Sequence, residues 1–137
     1  MQQYHFQSQV YKILAHPTRL AILDILREGE QCVCHMEAIL GLRQAHISQH
    51  LMVLRDAGLV TDRRDGWNIF YKVIQPEIFR VIDSMNAFSG MESEALHAAH
   101  RAVHSGESRK HCPCPKCSPS SEALATETHP ELLKNNS

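Results

Sequence analysis

The sequence contains no glycine-rich phosphate loop, no Gly-x-Ser-x-Gly elbow and no His-Glu-x-x-His pair. It therefore lacks the motifs that mark common enzyme classes, and a non-enzymatic role is expected. No run approaches the roughly 18 apolar residues of a membrane span. Met1 to His5 offer no basic stretch followed by an apolar one, so no secretory leader is read and a cytoplasmic location is expected. Aromatic residues are scarce at 6%, with a single Trp, while hydrophobic residues reach 43%. Any core must therefore be filled by aliphatic side chains. The net charge is −1, which excludes a nonspecific polycation.

The charge that is present is unevenly placed. Residues 43–73 carry Arg43, Arg55, Arg63, Arg64 and Lys72 against Asp56, Asp62 and Asp65, a net of +2, while residues 74–104 come to −2. The middle of the chain is the part suited to a phosphate backbone. Residues 4–15 repeat Phe6, Val10, Ile13 and Leu14 with helical spacing. Pro17 suits a first helical position and opens a second helix through Leu20, Ile22, Leu23, Ile25 and Leu26, which Gly29 ends. A third, short helix is expected from Cys34 to Leu40, stopped by Gly41. Ile47, Leu51 and Leu54 then repeat at i, i+4 and i+7, and Gly58 closes this fourth helix. Two helices joined by a tight glycine turn read as a helix-turn-helix. Val60 to Arg64, Asp65-Gly66 and Trp67 to Ile74 read as a β-hairpin. A hairpin directly after a reading helix is a wing. Pro76 is expected to open a last helix bearing Ile78, Ile82, Met85 and Phe88, with Gly90 breaking it and a continuation through Leu96 to Val103. The fold class is mainly α with a β-hairpin wing, a winged helix-turn-helix over residues 1–104. Residues 105–137 form a cysteine-containing tail too polar to bury a core.

Helical geometry selects the face that reads DNA. With Ile47 inward, Leu51 and Leu54 lie ~40° and ~20° away and are core. Ala45 and Gln49 fall on the opposite side, His46 and Ser48 flank them, and Arg43 and Gln44 lie at the helix start. Glutamine pairs bidentately with adenine in the major groove, and serine serves as donor or acceptor. Arg63 and Arg64 on the hairpin suit phosphates or the minor groove. The partner implied is double-stranded DNA. His50 lies ~60° from the core direction and is expected to be a half-buried, hydrogen-bonded structural histidine.

The five cysteines form two clusters, Cys32 with Cys34, and Cys112, Cys114 and Cys117. Clustered cysteines in a reducing compartment point to metal or redox chemistry rather than a disulfide framework. Cys32 and Cys34 sit where the third helix begins, a place that favours thiolate. On an ideal helix residues i and i+2 point ~200° apart, so one ion held by both would distort the first turn. That distortion would pass to the reading helix. In the tail, His111-Cys112-Pro113-Cys114-Pro115-Lys116-Cys117 places three thiols within six residues between stiffening prolines. These thiols either complete the Cys32/Cys34 site or hold an ion of their own. Three sulfurs suit As(III) or Sb(III), and four suit Cd(II), Pb(II) or Zn(II).

Three segments together resemble the ArsR/SmtB family of bacterial metal-sensing repressors: Leu14-Ala-His-Pro-Thr-Arg-Leu-Ala-Ile-Leu23, Cys32-Val33-Cys34, and Ser48-Gln-His-Leu-Met-Val-Leu-Arg-Asp-Ala-Gly-Leu-Val60. Arg64-Asp65-Gly66-Trp67 and Tyr71 match the family's wing. The likeness spans roughly residues 8–100. It implies a homodimer, operator binding, and release when an inducer binds. The dimer would use the first helix (Phe6, Val10, Ile13) or the last (Ile78, Ile82, Met85), neither of which is expected to be needed for the central core. The Cys-Val-Cys resembles the family's arsenic sensors, which makes As(III) or Sb(III) the favoured inducer. Those sensors often place a third cysteine where this chain has Glu37. The family's other common site needs an Asp-x-His on the last helix, but Asp83 is followed at +2 by Met85, and only His97 and His100 remain of that pattern. Two other readings stay open: a repressor of the same fold answering to thiol oxidation or sulfide, and a metal-buffering protein whose tail is the working part.

Overall fold

The computed structural model describes residues 1–90. Helix α1 spans Gln2–Leu14 and α2 spans Pro17–Ile25, followed by a 3-10 turn over Leu26–Glu28. His16 caps α2, its Nδ1 accepting from the Thr18 N–H, and Pro17 follows at the first helical position. Strand β1 is only Gln31–Cys32, and α3 runs Val33–Leu40. Gly41 ends α3 in the left-handed conformation (φ 64°, ψ 25°), its N–H closing on Glu37 O. Helix α4 covers Gln44–Asp56, and the wing is β2 (Val60–Asp65) with β3 (Asn68–Val73). Helix α5 spans Ile78–Ser89 and stops at Gly90 (φ 67°).

The expected winged helix-turn-helix is present, with three differences. First, β1 pairs antiparallel with β3, so the sheet has three strands in the order β1-β3-β2. A two-residue strand carries no period that a sequence could display. Second, the hairpin turn lies one residue later than the Asp-Gly signal suggests. Asp65 pairs with Asn68, leaving Gly66 and Trp67 as the turn. Gly66 has φ +60°, and among the described residues no residue other than glycine has positive φ. This is the II′ pattern, with glycine first. Third, α5 begins at Ile78 rather than at Pro76.

Leu23, Ile22, Met36, Ile47, Leu51 and Leu54 have no exposed surface and form the centre of one aliphatic core. Ile78 and Ile82 of α5 are buried in that same core, and Val10 and Ile13 of α1 pack against it. The expectation that both terminal helices are spare is thereby corrected, because each lends one face to the protomer. Ile78 and Ile82 are closed off within the protomer, so the side chains of α5 left for a partner are Val81, Met85 and Phe88.

Candidate DNA interface and thiol site

The apolar stripe of α4 anchors it, and the opposite side faces out. Arg43, Gln44, Ala45, His46 and Gln49 are exposed, and Ser48 is half-buried. These six expected reading residues share one end of one helix, the N-terminal half of α4. Arg43 is the N-cap and makes no side-chain capping bond.

Beneath that end lies a clamp. His50 is buried, and its Nδ1 accepts from Arg19 Nε at 3.3 Å. Arg19 also donates to Ile13 O at 3.0 Å, tying the end of α1 to α4. The His16 ring lies 4.2 Å from that of His50, and the His46 ring 5.2 Å. Burial, and then the nearby His16, Arg19 and His46, push the His50 pKa below its ordinary value. His50 is thus the hydrogen-bonded structural histidine expected from its angle on the helix. Arg19 and His16 carry no local signal of this role, because their partner is 31 or more positions away and only the fold joins them.

On the wing the two arginines differ. Arg64 is exposed and makes no ion pair among the described residues. Arg63 makes a two-pronged contact with Glu30, Nη2 to Oε1 at 2.6 Å and Nε to Oε2 at 3.2 Å. That contact raises the Arg63 pKa above its ordinary value. Its guanidinium also sits 4.8 Å over the Phe70 ring. Trp67, at the hairpin turn, is fully exposed.

Cys32 is not on a helix. It is the extended N-cap of α3 (φ −80°, ψ 156°), and its Sγ accepts from the His35 N–H at 3.2 Å. The ~200° separation expected for two helical residues therefore does not apply. Cys32 is 1% exposed and packs with Phe70, while Cys34 is half-buried against that pair. Neither cysteine is in a disulfide. Among the described residues no group of three or more His, Cys, Asp or Glu side chains is placed to hold a metal ion. The described residues thus offer two neighbouring thiols and no third ligand beside them. Cys112, Cys114, Cys117, His97, His100, the continuation through Leu96 to Val103 and the boundary at residues 104/105 lie outside the described residues. No helix among the described residues is long and apolar enough to cross a membrane.

Residues 16–62, from the cap of α2 to the start of the wing, match the family model described as bacterial regulatory protein, arsR family. A biofilm growth-associated repressor of Agrobacterium fabrum is 43% identical over 85 residues, covering 62% of this chain and 73% of its own length. The chain belongs to the arsR family of bacterial regulatory proteins. It is a winged helix-turn-helix transcriptional repressor of that family. The arsenic resistance transcriptional regulator ArsR1 of Pseudomonas putida is 46% identical over 77 residues, which cover 56% of this chain and 59% of that relative. Among solved structures, a homodimeric winged helix-turn-helix DNA-binding domain from Mycobacterium bovis is similar with a TM-score of 0.57 and 27% identity, covering 69% of this chain and 86% of that one. The ArsR-family match ends within β2, so the thiol pair, α3 and α4 all fall inside it.

Proposed function

We propose that this repressor binds operator DNA as a homodimer and leaves it when a thiophilic inducer, As(III) or Sb(III) in the first place, bridges Cys32 and Cys34. The observation that carries this reading is the place of the thiols. They bracket the first residues of α3, and α3 packs directly on α4, whose outer side holds Arg43, Gln44, Ala45, His46, Ser48 and Gln49. Arg64 extends the contact from the wing, whereas Arg63 is held by Glu30. Cys32 is buried and caps α3 through its Sγ, so in this reading drawing that sulfur to an ion shared with Cys34 shifts it from the cap and disturbs the first turn of α3. A coupling of ~1–3 kcal/mol weakens DNA binding ~5–150-fold. The third sulfur would come from one of Cys112, Cys114 and Cys117, unless those three hold an ion of their own. The homodimer rests on the exposed apolar side chains of α1 and α5 and on the homodimeric M. bovis relative.

The test is a duplex-binding titration with As(III), Sb(III), Cd(II), Pb(II), Zn(II) and a sulfane-sulfur donor. It uses the wild type, Cys32→Ser, Cys34→Ser and a truncation after Gly106. The expected result is release by As(III) that both serine variants abolish. Release by Cd(II), Pb(II) or Zn(II) alone, or by the sulfur donor alone, would replace the arsenic reading with the corresponding one. A response that survives both serine substitutions would refute the site.

A further inference from the structure

The three-stranded sheet places Cys32, Phe70 and Arg63 side by side. Cys32 pairs with Phe70 across β1 and β3, and Phe70 pairs with Arg63 across β3 and β2. Directly paired residues of antiparallel strands project from the same face, so the three form one row. The contacts agree: Cys32 packs on Phe70, and the Arg63 guanidinium lies over the Phe70 ring at 4.8 Å. Glu30, two residues before Cys32, closes the row by its two-pronged contact with Arg63. The thiol segment is thus attached to the wing at both ends of the row, by Glu30 to Arg63 and by Cys32 to Phe70.

We propose that Glu30 and Arg63 are positioning residues that make the wing a second output of the thiol site. This rests on the reading above that Cys32 and Cys34 take the inducer. Cys32 and Phe70 are 1% and 3% exposed, so neither shifts without the other. When Cys32 leaves its cap, Phe70 loses its neighbour, and the Arg63 stacked on it is drawn along with Glu30. The wing then moves relative to α4, and the two parts of the DNA surface fall out of register. Arg63 acts here through the protein and not through a phosphate. A lysine at 63 keeps a cation but lacks the fork and the flat stacking surface.

The experiment uses the full chain with Cys112→Ser, Cys114→Ser and Cys117→Ser, so that only Cys32 and Cys34 react. Phenylarsine oxide is the probe. Two As–S bonds form, and the arsenic oxygen leaves as water with the two thiol protons. Bridging is verified by mass. Amide exchange over residues 60–73 is followed without DNA, and affinity for a duplex selected from a random pool is followed in parallel. In the parent, bridging is expected to speed wing exchange and to weaken duplex binding ~10-fold, within the usual range of site–site coupling. With Glu30→Gln or Arg63→Lys added, wing exchange should respond little to bridging and release should fall to ~3-fold or less. Unchanged exchange and release in both variants would overturn the proposal, as would failure of the probe to bridge the two thiols. It would also fall if Glu30→Gln tightened duplex binding and steepened its salt dependence by about one phosphate, because Arg63 would then be a phosphate ligand held in reserve. If the parent binds no duplex at low salt, the repressor reading fails, and the exchange arm still decides whether the row links thiols to wing.

Discussion

His50 shows how one side chain under the reading helix can set its dependence on pH. It is buried, and it accepts a hydrogen bond from Arg19 through Nδ1. Only the neutral ring can accept there. Its pKa in the folded chain lies below the ordinary 6.5, through burial and the facing His16, Arg19 and His46. The unfolded chain therefore binds the proton more readily, and stability rises with pH in this range. The contribution is complete above about 6.5 and is lost as pH falls from there through the folded pKa. Protonation removes one part-buried hydrogen bond, worth ~1 kcal/mol. Urea midpoints of the wild type should accordingly fall between pH 8 and pH 5 more steeply than those of His50→Gln, and the affinity for duplex should follow the same difference. Parallel curves for the two proteins would show that the clamp does not titrate. The same residue-scale logic separates the two cysteines. Cys32 is a cap and part of the wing's packing, whereas Cys34 is half-buried, so under the proposed function Cys34 would meet a soft ion first.

At the scale of elements, legibility tracked the length of the repeating pattern. Helix α4 was readable because Ile47, Leu51 and Leu54 mark one face over two turns, and those three residues are fully buried. The wing was readable from its β-formers, although pairing of Asp65 with Asn68 moved the turn onto Gly66-Trp67. Strand β1 was not readable, since Gln31 and Cys32 become a strand only because β3 lies alongside. The same holds for the site. The DNA-reading side follows from helical angles within one segment, while the Arg19–His50 clamp and the Glu30–Arg63 contact join residues 31 and 33 positions apart. Nothing local encodes such pairs. Gly41 is the element-scale residue most open to test. It sits between α3 and α4 with φ 64° and open space around it, so an added methyl meets no atom and its cost is conformational alone. A non-glycine residue in this region costs ~1–2 kcal/mol. Gly41→Ala should lower unfolding free energy by about that amount in a urea titration, and should weaken duplex binding by changing the angle between the two helices. A variant as stable as the wild type would mean the turn relaxes without consequence.

At the scale of the molecule, what remains exposed after folding indicates how copies assemble. Helix α5 carries two apolar stripes about 70° apart on a helical wheel. Ile78 and Ile82 face the protomer's core, and Val81, Met85 and Phe88, at i, i+4 and i+7, stay 40%, 57% and 86% exposed. Tyr4, Phe6 and Tyr11 of α1 are likewise 60%, 69% and 57% exposed. Exposed apolar side chains on the first and the last described helices are what a protein interface looks like before its partner arrives; on α1 Tyr4 and Tyr11 share one side and Phe6 lies on the other. A two-fold dimer through α1 and α5 would cover the α5 stripe and one exposed side of α1, and present two α4 helices to successive major grooves, roughly 34–36 Å apart. One protomer alone would hold a single half-site and lose the gain from linked binding, ~10²–10⁴-fold. The double variant Met85→Glu/Phe88→Glu leaves Ile78, Ile82 and the core untouched, so it should fold with an unchanged circular dichroism spectrum. Sedimentation velocity should then show a monomer, and its affinity for a two-half-site duplex should drop by at least a hundredfold while a single half-site is bound as weakly as before. A double variant that still sediments as a dimer would place the interface elsewhere, and α5 would then be a cap on the core whose outer stripe has another occupant.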